Sequence, residues 1–240
     1  MHFQNANSTD VERKINKKKI AILPVGAVEA HGPHLPLGTD TILAERLSEK
    51  LSKRIDAFVL PSIAYGQVWS LRNFPGSINI SNETLISLIQ DIGNSVYKQG
   101  FSCLVIVNGH LGNQVAVKEA ARKIYEVNPS FKLFYFFYPG MNDVLEDIRE
   151  SKEIHSTYFH ACEIETSIML YLASEYVDMD KAVNETPLIP KAADYSPTPW
   201  EAFTSTGVLG NAKLATSKKG EIIINKSLSK MTKLINDFLR

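Results

Sequence analysis

The chain is poor in cysteine: of its 240 residues only Cys103 and Cys162 carry thiols, too few for a disulfide framework and suited to a reducing compartment. Surplus charge is missing too. Lys and Arg number 26 against 26 Asp and Glu, so the basic footprint of a nucleic-acid binder is absent. Long apolar runs are lacking, since the longest, Ile20 to Val28 and Phe131 to Tyr138, fall well short of the roughly 20 residues of a membrane-spanning helix. The opening residues His2, Gln4, Asn5, Asn7 and Ser8 have no apolar stretch of the kind a secretion signal needs. Nucleotide-binding signatures are absent as well: there is no Gly-Lys-Ser/Thr and no complete G-x-G-x-x-G. The expectation is a cytoplasmic protein that engages neither nucleic acid nor membrane and acts on a small molecule.

What is present is apolar material for a core, 44% of the chain. It alternates between short apolar runs and amphipathic stretches, the pattern of an α/β protein with a mainly parallel sheet flanked by helices. Strands are predicted at Lys19 to Val25, Phe58 to Ile63, Cys103 to Val107 and Phe131 to Tyr138. Asp40 stands at a helix N-cap position before Ile42, Leu43, Leu47 and Leu51. Ser81 or Asn82 caps a second helix that stops near Gly100. Further helices are predicted over Gln114 to Glu126, near Met141 to Glu150, over Glu163 to Ser174 and over Gly220 to Leu239, with loop from Asn184 to Gly210. No repeat or linker divides the chain, so residues 1–17 are read as a polar extension and 18–240 as one domain.

Metal-ligand side chains crowd the loop after the first strand: Glu29, His31, His34 and Asp40. In extended chain Glu29 and His31 point to one side and face a common point. Imidazole with carboxylate suits zinc, manganese or iron rather than calcium. Each residue also has a plainer reading: Asp40 as a cap, His34 as a hydrogen-bonded structural group, Glu29 as an ordinary acid. His110 shifts the balance, because it follows the most apolar strand directly, and ligands of open α/β sheets bind at the carboxyl ends of strands. Asn108 to Asn113 could be a phosphate-binding turn but lacks a lysine. A third group, His160-Ala-Cys-Glu163-Ile-Glu165-Thr-Ser167, offers another imidazole and two carboxylates, either of which could simply favour a helix N-terminus. The Cys162 and His160 spacing specifies no thiol mechanism.

At these residues the sequence resembles the creatininase, or creatinine amidohydrolase, family. The resemblance is carried by Pro24-Val-Gly-Ala-Val-Glu29-Ala-His31-Gly-Pro-His34-Leu-Pro-Leu-Gly-Thr-Asp40, by Asn108-Gly-His-Leu-Gly-Asn113, by His160-Ala-x-x-x-Glu165-Thr-Ser167, and by Gly207-Val-Leu-Gly210 with Ala215-Thr216 and Gly220-Glu221. It implies a three-layer α/β/α fold, two divalent ions per chain, hydrolysis of a non-peptide C–N amide bond and a homohexamer. It further implies that Glu29 and His110 ligate one ion and His31 the other, with Asp40 bridging. The family's glutamate two positions after the second-motif histidine is replaced here by Gly112, and that role is assigned to Glu165, with Glu163 the other candidate. His160 corresponds to an active-site histidine and is assigned proton transfer to the leaving nitrogen. Creatininase proper places tryptophans near its substrate just before the third motif, whereas Trp69 and Trp200 lie elsewhere and Phe136, Tyr138 and Tyr158 fill that stretch. The expected substrate is therefore a small polar amide, lactam or formamide other than creatinine, with Trp69 and Tyr65 either lining its pocket or packing in the core. The other reading is a non-catalytic small-ligand-binding protein with a structural metal; against it, structural zinc favours cysteine and closes all its positions.

Overall fold

A computed structural model describes residues 2–15 and 19–239. In chain order the elements are helix α1 (Ser8–Ile15), strand β1 (Ile20–Val25), helix α2 (Thr39–Ile55), strand β2 (Phe58–Val59), helix α3 (Asn82–Lys98), strand β3 (Cys103–Asn108), helix α4 (Gln114–Val127), strand β4 (Lys132–Phe136), helices α5 (Asn142–Ile148) and α6 (Glu163–Leu172), the short strands β5 (Asn184–Glu185) and β6 (Gly210–Asn211), and helix α7 (Ser217–Leu239). Strands β2, β1, β3 and β4 lie side by side in that order, all parallel. The β1–β3 register runs from Ile20 opposite Cys103 to Val25 opposite Asn108. Both strands therefore end at the same edge of the sheet.

The continuous apolar run of β3 explains the layering, because a strand buried on both faces needs no polar alternation. Cys103, Val105 and Val107 face one core with α2, α6 and α7. Leu104 and Ile106 face the other, with α3 and α4. The result is three layers, α/β/α. Residues 2–15, predicted as a polar extension, set the Phe3 ring edge-on against Phe58, centroids 5.7 Å apart. The predicted boundary between extension and domain lies at residues 16–18, outside the described residues.

Several local expectations are corrected. The strand predicted over Phe58 to Ile63 is regular only at Phe58–Val59, because Pro61 has no N–H for the ladder. Its pairing resumes when Ile63 N–H donates to Pro24 O at 3.0 Å. The strand of Phe131 to Tyr138 stops at Phe136, and Tyr138 turns into the left-handed region at φ 41°. Asp40 is not the cap of α2: the helix starts at Thr39 after Gly38, no side chain caps it, and Asp40 sits in its first turn. The segment read as mostly loop, Asn184 to Gly210, is irregular apart from short 3-10 turns and the two-residue strand β5, which pairs antiparallel with β6. The last helix begins at Ser217, so Gly220 lies inside it, where a Cβ would strike the Ser167 carbonyl. That glycine is tolerated because it lets α7 cross α6 at backbone contact.

A buried ion pair locks this crossing. Glu163 is fully buried and accepts the Lys219 ammonium at 2.6 Å, the Glu150 N–H at 2.9 Å and the Ser151 N–H at 2.7 Å. Lys219 also donates to the Leu214 carbonyl at 2.8 Å. Removing one partner of such a pair strands the other charge in the interior. Lys219→Met is expected to lower stability by about 3 kcal/mol in urea unfolding; a loss below about 1 kcal/mol, typical of an exposed pair, would disprove the locking role.

Candidate metal centre

The site assembles at the carboxyl edge of the sheet from four parts of the chain. Glu29 and His31 come from the loop after β1, Asp40 from the first turn of α2, His110 from the end of β3, and His160 with Glu165 from the entry to α6. All six are buried. Asn113, just after β3, ties the loop after β1 to the segment around residue 67: its side-chain amide donates to Gly26 O at 2.9 Å, and its Oδ1 accepts the Gln67 N–H at 2.9 Å. Asn108 in turn donates to His110 O at 2.6 Å. The Asn108 to Asn113 segment thus uses its polar side chains to shape the loop.

The histidines share one arrangement. His31 Nδ1–H donates to Glu29 O at 3.0 Å, His110 Nε2–H to Gln67 O at 2.8 Å, and His160 Nε2–H to Ala30 O at 2.8 Å. A main-chain carbonyl can only accept, so the tautomer follows and the opposite ring nitrogen of each turns inward. His31 Nε2 lies 3.3 Å from Asp40 Oδ1 and 3.6 Å from Glu165 Oε2. His110 Nδ1 lies 3.0 Å from Asp40 Oδ2 and 3.2 Å from Glu29 Oε2. His160 Nδ1 is farther out, 3.8 Å from Glu29 Oε2 and 3.9 Å from Glu165 Oε2. Ala161, at φ 47°, aims its N–H at Glu165 Oε2 over 2.6 Å and fixes that carboxylate.

These residues fit a cation. Three overlapping groups each bring their ligand atoms within 4.8 Å of one another: Glu29 with Asp40 and His110, His31 with Asp40 and Glu165, and Glu29 with His31 and His160. Ligands around a tetrahedral ion with bonds near 2.1 Å stand about 3.4 Å apart, close to the spacings above. Glu29 Oε2, His31 Nε2 and Asp40 Oδ2 are buried without a hydrogen-bond partner, which native interiors rarely allow unless an ion or water completes them. Imidazoles held through their second nitrogen are the usual outer shell of a metal site.

The electrostatics agree. Burial opposes charge on His31, yet Asp40 and Glu165 prevail and raise its pKa to about 10. His110 is likewise raised, by Glu29 and Asp40 against burial. Asp40 is lowered despite burial because both imidazoles favour its anion. Burial raises Glu165 to about 7, against the pull of His31. His160 moves the other way: burial and the neighbouring His31 lower it to about 4, so it is neutral. The pocket is a well for positive charge, and protons or cations fill it.

The remaining predicted residues fall outside. His34 hydrogen-bonds Thr166 Oγ1 at 2.9 Å and enters none of the three groups. Glu163 faces Lys219 instead. Burial raises the thiol of Cys162 to about 11, which leaves no thiolate for nucleophilic attack. Tyr65 is half exposed and Trp69 carries the Arg72 guanidinium 4.1 Å above its ring; neither lines the cavity. Trp200, which no spacing singled out, does line it, edge-on to His160 with centroids 5.4 Å apart. At Gly112 a Cβ would lie 2.5 Å from Gln67 O and from His110 Nε2, in the space of the hydrogen bond that orients His110. The cavity beside the cluster holds about 150 Å³ and shares Leu111, Phe137, Tyr158 and Phe159 with an outer cleft of about 810 Å³. No helix among the described residues is long and apolar enough to cross a membrane.

The chain resembles known proteins over nearly its whole length. A family model described as creatinine amidohydrolase matches residues 4–235. Creatinine amidohydrolase of Pseudomonas putida is 30% identical over 85% of this chain and 84% of its own. A 3-dehydro-scyllo-inosose hydrolase of Thermotoga maritima is 26% identical over 100% of this chain and 84% of its own. Two solved structures, described as a manganese creatininase and a zinc–zinc form of a creatininase mutant, are 26% and 25% identical and superpose with TM-scores of 0.89, covering 98% of this chain and 97% of theirs.

Gly112→Ala tests the orienting hydrogen bond. The added methyl is expected to displace the Gln67 carbonyl and weaken Zn²⁺ or Mn²⁺ affinity by roughly 10- to 100-fold in a chelator-competition titration, the usual penalty for losing an outer-shell partner. Unchanged affinity would show that His110 is held by other means.

Proposed function

The chain belongs to the creatininase family, and on that footing we propose that it is a metal-dependent hydrolase that cleaves a carbon–nitrogen amide bond in a small polar metabolite. The observation that carries the reading is the cluster of three imidazoles, each donating one ring N–H to the main chain and turning the other nitrogen toward buried carboxylates. Two divalent ions are proposed, one held by Glu29, Asp40 and His110, the other by His31, Asp40 and Glu165. In support, Asp40 Oδ1 faces His31 while Oδ2 faces His110, the disposition a bridging carboxylate requires. Zinc, manganese and iron all accept such ligands.

A divalent ion would supply Lewis acidity here, polarising an amide carbonyl and bringing water to deprotonate near neutral pH. The chain's own residues would handle the proton. His160 is neutral, its Nε2–H is committed to Ala30 O, and its Nδ1 is open toward the carboxylates. That nitrogen can take a proton from the attacking water and deliver it to the departing nitrogen. Trp200 and Phe159 wall the cavity and keep bulk water from the reacting amide. Its volume of about 150 Å³ admits a compact group. The 3-dehydro-scyllo-inosose hydrolase shows that a relative can act on a different small molecule, in keeping with a substrate other than creatinine. The family resemblance extends the proposal to a homohexamer, and two free, buried cysteines suit a cytoplasmic location.

The test is hydrolysis of a panel of cyclic ureas, lactams and formamides by metal-reconstituted protein, with metal analysis alongside. Two ions per chain and turnover of at least one class are expected; a metal-loaded protein inert toward every class would overturn the reading. Asp40→Asn should drop the metal content below one ion per chain and abolish turnover. His160→Gln should keep both ions while kcat falls roughly 10²- to 10⁴-fold; loss of metal in that variant would make His160 a ligand instead.

A further inference from the structure

We infer that the side-chain amide of Gln67 is the group that recognises the substrate's amide, so that the cavity selects substrates presenting an N–H and a C=O on one side, as lactams and cyclic ureides do. The inference rests on the hydrolase reading of this cavity and names the residue that would set its specificity.

Gln67 lies in the irregular segment between β2 and α3, yet its main chain is fixed on both sides. Its N–H donates to Asn113 Oδ1 at 2.9 Å and its carbonyl accepts the His110 Nε2–H at 2.8 Å. The residue lines the cavity with Glu29, Asp40 and His110. It reaches over Gly112, where Oε1 would lie 2.8 Å from a Cβ. Among the described residues the side-chain amide makes no hydrogen bond, although the backbone beneath it makes two. A half-buried amide on a main chain fixed at both N–H and C=O, with no protein partner and beside a reaction cavity, is placed to read a ligand.

The charge of the cavity points the same way. Its ionisable lining groups are Glu29, Asp40, Glu165, His110, His160 and Tyr158, with no lysine or arginine. A substrate carboxylate or phosphate would find no fixed side-chain cation there, so neutral hydrogen bonds must do the reading. Tyr158 stacks on His155, with ring centroids 4.1 Å apart. A primary amide offers an acceptor oxygen and two N–H donors in one plane. That pattern pairs with an amide whose N–H and C=O are syn, the geometry a small ring enforces. Trp200 adds a flat aromatic wall for such a ring. Gly112 belongs to the same device, because any larger residue there would collide with the Gln67 side chain.

Gln67→Met keeps the length of the side chain and removes both its acceptor and its donors. Binding of 2-pyrrolidinone and of N-methyl-2-pyrrolidinone, which lacks the N–H, is measured on zinc-loaded protein by tryptophan fluorescence and by ligand-observed NMR. The expected result is that the wild-type protein prefers the N–H lactam roughly tenfold, as one neutral hydrogen bond would give. Gln67→Met should abolish that preference with metal content unchanged. For any lactam or ureide that is turned over, KM should rise roughly tenfold with kcat nearly constant. An undiminished preference in Gln67→Met, loss of metal from it, or failure of the wild-type protein to bind either lactam would each overturn the inference. A wild-type protein that shows the preference but hydrolyses no cyclic urea, lactam or formamide would leave the recognition role standing and refute the hydrolase reading.

Discussion

Everything at the site depends on three main-chain carbonyls. Glu29 O, Gln67 O and Ala30 O each accept a ring N–H from a histidine, and in doing so they decide which nitrogen of His31, His110 and His160 turns toward the carboxylates. Free imidazoles choose between tautomers; these do not. The backbone thereby sets the donor geometry before any ligand arrives, and the three buried carboxylates supply the negative charge. Without the carbonyls the same side chains would be a loose acidic pocket with rotating rings.

The sheet makes that arrangement possible. Parallel β1 and β3 finish together, with Val25 opposite Asn108, so the loop carrying Glu29 and His31 and the loop carrying His110 leave the same edge a few ångströms apart. Asn113 then ties both to the segment around residue 67. The helical layer contributes through the crossing of α6 and α7, where Gly220 allows close approach and Lys219 with Glu163 locks it. Glu163 and Glu165 are two residues apart on one helical turn and do unrelated work: one closes an ion pair in the helical layer, the other faces the histidines.

Much of this was legible in the letters because it is local. The apolar run of Cys103 to Val107 announces a central strand, and the density of Glu29, His31, Asp40 and His110 beside strand ends announces their convergence. Asp40 satisfies the positional rule for an N-cap as well as the ligand pattern; it lies in the first turn of α2 instead of at the cap, and imidazoles from two other segments approach its carboxylate. The pairing around Phe58 to Ile63 was misjudged through Pro61. Gln67 and Trp200 were invisible for a different reason. Both sit on irregular segments where no periodicity fixes direction, and only the packing of distant loops turns them toward the cavity. Nor could spacing reveal why residue 112 is glycine, since the clash it avoids is with the backbone of residue 67.

The split of Asp40 between two ligand groups has a consequence for the order in which the centre can be built on the ribosome. Glu29, Asp40 and His110 are all translated before residue 111, whereas the other group waits for Glu165, about 55 residues later. At roughly 5–20 residues per second that interval lasts seconds. A nascent chain would thus carry every member of one of these groups while the other still lacks Glu165.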